Sequence, residues 1–323
     1  MCTLSIIPVY RSRRDGARAV GFRLVFSRDE QRSRPAALPP RWHEVRAEEG
    51  GSGVGGKVRA IWPTDAQAGG TWIAGTTTGV VVCLLNAAPD PMPRLPEASR
   101  MLSRGGIIPA VLSRVCVAEV GRVADEIIRA VGAMDLERYA PFRLVALEPL
   151  GANVIANGES ASGAHWGRSH RRGLVAAWHR DGALRVQEMA DGPVCLASSG
   201  LGDARVLGRI DLFGNEVVRA GATPASQDRF HRHAWANSPE TSVLMSRADA
   251  RTVSITTVEV VPDAASDAGG AGRHGTGWTV EMEYVPVRES TAAAANAREA
   301  EPRAQRAREA RTGAAVLRRA PLE

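Results

Sequence analysis

The sequence predicts an α+β fold built on antiparallel sheets, and three observations carry that reading. Asp15-Gly16 separates two apolar, β-prone runs at residues 4–10 and 20–26, a hairpin signal. Arg180-Asp181-Gly182 separates two more, at 173–178 and 184–188. The helical stretches fall between groups of strands rather than alternating with single strands, which argues against a parallel βαβ sheet.

The first hairpin sets up the chemistry. With Asp15-Gly16 as a two-residue turn, residue i pairs with 31 − i, so Cys2 faces Asp29 and neighbours Arg28. Pro8 either ends the first strand or introduces a bulge. In both cases Cys2 and Ser27-Arg28-Asp29-Glu30 emerge at one end of the hairpin. Residues 43–58, rich in Gly and charge, read as a mobile loop. Strands follow at 72–76 and 80–86, with a turn between them. Residues 87–97 hold four prolines and exclude regular structure. Val117, Val120, Val123, Ile127 and Val131 recur at helical spacing, which predicts one amphipathic helix over about 114–133. Further strands are expected at 142–147, 153–157, 173–178, 184–188 and 194–198, and helices at 204–213 and 225–235. Strands at 242–247, 252–261 and 276–287 close the chain, the last alternating Trp278, Val280, Met282 and Tyr284 with polar residues. Residues 263–275 read as disordered. The Ala-, Arg- and Glu-rich tail, 290–323, is either a solvated helix or disordered. The body, 1–289, reads as one domain.

Composition excludes several classes. The 323 residues are 44% apolar and 24% charged, a globular balance. No apolar run approaches the roughly 18 residues that span a bilayer. The N-terminus places its apolar stretch before Arg11, Arg13 and Arg14, the reverse of a secretory signal, so a cytoplasmic location is expected. Lys57 is the only lysine beside 40 arginines, yet 35 acids are interspersed and no recognition motif accompanies the charge. Of the net +6, the tail from residue 288 supplies eight arginines against five acids. Nucleic acid is therefore not an expected partner. Of the cysteines, Cys83, Cys116 and Cys195 sit in apolar runs and read as packing residues, and no CxxC or zinc spacing exists. His231-x-His233 on a helix would point its rings about 200° apart, which argues against a metal site.

Cys2 differs from the other three. Removal of Met1 leaves one residue that carries both a thiol and an α-amine titrating near ~8, a nucleophile with its own base. A chance Met-Cys start is the alternative. The segments Met1-Cys2-Thr3-Leu4, Ser27-Arg28-Asp29-Glu30, Arg34-Pro35, Pro39, Trp42, Gly69-Gly70-Thr71-Trp72-Ile73, Leu85-Asn86, Ser103-Arg104-Gly105 and Phe142-Arg143-Leu144-Val145 occur in this order. The ordered set resembles the NRDE family, also called the Transport and Golgi organisation 2 family, over most of residues 1–260. Residues 246–254 fit a bacterial branch of it. Ser27 stands where the family's name motif has Asn.

That family is in turn similar to the N-terminal-nucleophile hydrolases, among them the choloylglycine and penicillin-V hydrolases, which also begin Met-Cys-Thr. The resemblance implies a four-layer αββα sandwich of two antiparallel sheets. It also implies catalytic roles. Cys2 is the nucleophile, Arg28 hydrogen-bonds near its thiolate, and Asn86 donates to the oxyanion. Arg229 stands for a later active-site arginine, and Ser199 falls where the hydrolases place a second Asn. The hydrolases carry an Asp three residues after their first Arg; here that position is Gln31, and Asp29 is adjacent to Arg28 instead. Two bland readings stay open: Arg28-Asp29-Glu30 as a surface ion-pair network, and Asn86 as a turn residue. The function expected is an N-terminal-cysteine amidohydrolase or acyltransferase on a small acyl amide or thioester, with no cofactor. The alternative is a non-catalytic carrier of haem or acyl-CoA, held by Arg28, Arg229 and Arg247.

Overall fold

The computed structural model describes residues 2–13, 16–46, 57–114, 121–150, 171–263 and 277–288. Two antiparallel sheets stack face to face. The five-stranded sheet has the order β10-β1-β2-β11-β12, from β1 (Cys2–Arg13), β2 (Gly16–Gln31), β10 (Val194–Ser198), β11 (Ala250–Pro262) and β12 (Trp278–Pro286). The seven-stranded sheet runs β3 (Leu38–Arg46), β4 (Lys57–Thr64), β5 (Ile73–Thr76), β6 (Val81–Asn86), β7 (Phe142–Pro149), β8 (Arg171–Trp178) and β9 (Leu184–Glu188), in sequence order. Helices α1 (Ile107–Arg114) and α2 (Val123–Gly132) cover its outer face. Helices α3 (Gly208–Phe213), which continues as a π-turn through Gly214–Val218, and α4 (Pro224–His231) cover the outer face of the other sheet. The layers are α, β, β, α, as the resemblance implies.

Three apolar clusters explain the stacking. Between the sheets, Cys2, Leu4, Ile6, Phe22, Leu24 and Phe26 meet Ile73, Val81, Cys83, Leu85 and Val145. Leu4, Ile6, Phe22, Leu24 and Phe26 are fully buried. Each such side chain contributes about 1.5–3 kcal/mol relative to exposure. The opposite face of β1 carries Thr3, Ser5 and Ile7 towards α3 and α4. Both faces of the N-terminal strand are thus covered, which is why it reads as a nearly unbroken buried run.

The structure corrects several sequence expectations. In the first hairpin Arg13 pairs with Gly16, so Gly16 is a strand residue and not part of the turn, and the register differs from 31 − i. A bulge between Val9 and Tyr10, next to Pro8, then shifts the register, and Cys2 lies opposite Arg28 rather than Asp29. Residues 43–46 and 57–58 are not a loop: His43, Glu44, Val45 and Arg46 pair with Ala60, Arg59, Val58 and Lys57. β3 is an edge strand with Pro39, Pro40 and mostly exposed side chains, so it lacks the alternation that marks a strand. Of the helix expected over 114–133, the described part is α2, Val123–Gly132; residues 115–120 lie outside the described residues. Gly121, at φ +92°, precedes α2, whose first N–H groups at Val123 and Ala124 donate to the Glu148 carboxylate. Residues 242–247 form no strand beyond an isolated bridge, Ser246 to Arg251. The expectations at 153–157, 264–275 and 290–323 fall outside the described residues, as does Cys116. Cys83 and Cys195 pack as expected, and burial pushes the Cys195 thiol up to about 12. No helix among the described residues is long and apolar enough to cross a membrane.

Candidate active site

The register of β1 against its two neighbours places three groups together. Cys2 pairs with Arg28 of β2 on one side and Ser198 of β10 on the other. Its backbone N–H donates to Ser198 Oγ at 3.2 Å. Cys2 is buried and forms part of the wall of a cavity of about 640 Å³. Burial pushes its thiol up. The positive N-terminus, a hydrogen bond from the Asp29 backbone and the Arg28 charge pull it down, while the Asp29 charge adds to the rise. The net shift is upward, so the resting group is a thiol.

Arg28 is held from three sides. Its Nη2 donates to Asp65 and, at 3.2 Å, to Glu30. Its guanidinium lies 4.2 Å from the centre of the Trp72 ring. Arg28 acts on Cys2 through its charge, its Nη2 being turned to the two carboxylates. Asp65 is the hub: Oδ2 also accepts from Arg34 Nε at 2.8 Å, and Oδ1 accepts the N–H groups of Gln67 and Ala68. Burial alone would raise this carboxyl; the Arg34 bond, the Ala68 N–H and the two arginine charges outweigh it and hold it below the usual range.

Two glycine motifs meet beneath this network. Gly69, at φ +70°, turns the chain after Asp65. Thr71 N–H then donates to Gly105 O at 2.9 Å. The backbones touch so closely that a Cβ on Gly70 would lie 2.3 Å from the Gly105 carbonyl carbon. This contact brings Arg104 to the cavity.

Of the residues the sequence singles out, Cys2, Arg28, Asp29 and Asn86 all line the cavity. Asn86 ends β6, and its side-chain amide makes no hydrogen bond to a described residue. Asp29 turns its carboxylate away from Arg28: Oδ1 accepts from Thr252 Oγ1 at 2.6 Å, and Oδ2 lies 3.5 Å from Arg209 Nη1. Ser199 is buried beside the cavity but not in its lining; its N–H donates to Asp203 and its Oγ accepts from Leu201 N–H. The hydroxyl that reaches Cys2 belongs to Ser198. Arg229 lies exposed on α4, outside the lining. The buried arginine near this end of the sheet is Arg209, which donates to Thr3 Oγ1 at 2.8 Å and Thr241 O at 2.9 Å.

Sequence reasoning missed Asp65, Ser198, Arg209 and any separate role for Arg104. Asp65 carried a usable signal, an acid four residues before a Gly pair, the pattern of a side-chain-capped turn. Arg143 shows what its motif does: it pairs with Asp203 at 2.7 Å, and Asp203 accepts the Ala88 N–H, fastening the segment after Asn86 to the segment after β10. Among the described residues no cluster of three or more His, Cys, Asp and Glu could hold a metal.

Comparison with known proteins adds the family. A search of curated proteins found no match. Among solved structures, the chain is similar to the N-acylethanolamine-hydrolyzing acid amidase ortholog of Caenorhabditis elegans. That match has 11% identity, covers 79% of this chain and 91% of that one, and has a TM-score of 0.42. A mutant conjugated bile acid hydrolase from Clostridium perfringens matches at 10% identity over 90% and 97% of the two chains, TM-score 0.39. The family model described as Transport and Golgi organisation 2 matches residues 1–174, more than half of the 323 and including Cys2, Arg28, Asp65, Asn86 and Arg104, so the chain belongs to the Transport and Golgi organisation 2 family.

Proposed function

We propose that the chain is an N-terminal-cysteine hydrolase or acyltransferase that acts on a small acyl amide or thioester. The observation that carries this reading is the position of Cys2: in the wall of a cavity that Asn86 also lines, with its backbone nitrogen 3.2 Å from Ser198 Oγ. Once Met1 is removed, that nitrogen is an α-amine. Near neutral pH it is partly unprotonated and takes the thiol proton as sulfur attacks the acyl carbonyl. Ser198 Oγ orients it. The side-chain amide of Asn86, uncommitted to other described groups, donates to the oxyanion. The ammonium then protonates the leaving amine or thiolate, which departs from a thioester on Cys2. Water or an acceptor amine, deprotonated by the same α-amine, attacks the thioester, and collapse returns the thiol.

A carrier of haem or acyl-CoA would use the cavity arginines without this chemistry. Intact-mass measurement on the purified full chain separates the two readings. Loss of Met1, with stoichiometric acylation by an activated acyl thioester that Cys2→Ala abolishes, is expected. Quantitative retention of Met1, or equal labelling of Cys2→Ala, overturns the enzymatic reading.

A further inference from the structure

The cavity's charges are unevenly matched. Arg28 and Arg34 share Asp65 and Glu30. Asp29 faces Arg209. Arg247 Nε lies 2.7 Å from Asp249. Arg104, which also lines the cavity, has no carboxylate at ion-pairing distance among the described residues. Its one side-chain hydrogen bond within them runs from Nη1 to Pro141 O at 2.8 Å. A guanidinium has five N–H donors, and a half-buried one left uncompensated is costly. Burial pulls Arg104 below the usual arginine range, while the charges of Glu30 and of Cys2 when ionised pull it back. A second, independent observation concerns Arg247: its Nη1 is buried and has no hydrogen-bond partner among the described residues. Both arginines line one cavity, whose remaining wall includes Leu84, Leu95, Met101 and Leu102.

We propose that Arg104, with Arg247, forms an oxyanion-recognising subsite, so that the acyl donor carries a carboxylate or phosphate beside an apolar chain. The anion supplies the ion pair that Arg104 lacks among the described residues, and the chain lies on the leucines and Met101. The inference rests on the acyl-transfer reading for the identity of the ligand as a donor, but its test does not need turnover.

Calorimetric titration of full-length Cys2→Ala with three probes is that test: N-decanoylglycine, O-phospho-N-decanoylethanolamine and neutral N-decanoylethanolamine. At least one anion should bind about 10- to 100-fold more tightly than the neutral probe, the range for a charged hydrogen bond. Which anion wins identifies the head group. Arg104→Gln in the same background should erase the preference, and Arg104→Lys should retain part of it. Equal affinity for all three probes, or a preference that survives Arg104→Gln, overturns the proposal. Should Arg104→Gln fail to fold, Arg247→Gln carries the test: a preference it leaves undiminished overturns the paired subsite. Failure of Cys2 acylation would leave these binding results standing, so the two readings fail separately.

Discussion

His231 makes the stability of this fold sensitive to acid, and the size of the effect follows from its surroundings. The ring, on α4, is fully buried against the face of β1 and β2, with Nε2 2.7 Å from Ser5 Oγ and Nδ1 2.7 Å from Ser27 Oγ. Burial, then the charges of Arg23, Arg232 and Arg209, lower its pKa from 6.5 to about 3. The native ring is therefore neutral, whereas the unfolded ring takes a proton below about 6.5. Between those values the unfolded state binds more protons, so stability falls as pH falls. At about 1.36 kcal/mol per unit, the loss from pH 7 to pH 4 is roughly 3 kcal/mol from this one group. His231→Gln removes the titration while keeping an amide within reach of one serine. Urea denaturation at pH 7, 6, 5 and 4 measures both proteins. The variant should be less stable at pH 7, and the gap should close by about 3 kcal/mol at pH 4. Carboxylates common to both proteins cancel in that difference. Parallel loss of stability in the two proteins refutes the reasoning.

The ion-pair hub and the glycine contact give two further expectations. Asp65→Ala strips Arg28 and Arg34 of their shared carboxylate and should cost about 3 kcal/mol, the low end for breaking a buried pair because Glu30 remains. Scanning calorimetry should show Tm lower by about 6 °C. Because the native Asp65 pKa is depressed, its contribution is present above the unfolded value and lost as pH falls through the native one, so the Tm gap should shrink on acidification. Gly70→Ala drives a Cβ into the Gly105 carbonyl and should lower the urea midpoint by the equivalent of about 2 kcal/mol or more; an unchanged midpoint would show that the two loops are not held together by this contact.

How much of this was legible in the sequence depends on the kind of interaction. The meeting of Cys2 with Arg28 could be read because a hairpin's open end is fixed by its turn, to within the slip that the Val9–Tyr10 bulge introduces. β11 and β12 could be read because half-buried strands alternate. β3 could not, because an edge strand pairs on one side and buries little. Asn86 came from the family resemblance, and its place at the end of β6 puts it in the cavity lining. Arg229 and Ser199 were transferred from a resemblance over a short local match, and side-chain direction on a helix or turn is not carried by such a match. Arg209 had no local signal: its partners Thr3, Asp29 and Thr241 are distant in sequence, so only the packed fold joins them.

The period of two along β1 and β2 explains why chemistry and scaffold stay apart. Cys2, Leu4 and Ile6 face the cavity and the space between the sheets, while Thr3 and Ser5, with Ser27 opposite, face the helices. A slip by one residue would exchange these sets, setting hydroxyls against the apolar layer and leaving His231, Gln227 and Arg209 without partners. The polar layer made by Ser5–His231–Ser27, Gln227–Ser5 and Arg209–Thr3 therefore fixes the register that puts Cys2 beside Arg28 and Ser198. The same alternation interprets the departure from the family's name motif. Ser27 bonds to His231 on the helix side of the sheet, away from the cavity, so replacing Asn by Ser alters the support beneath the site and leaves the groups lining the cavity in place.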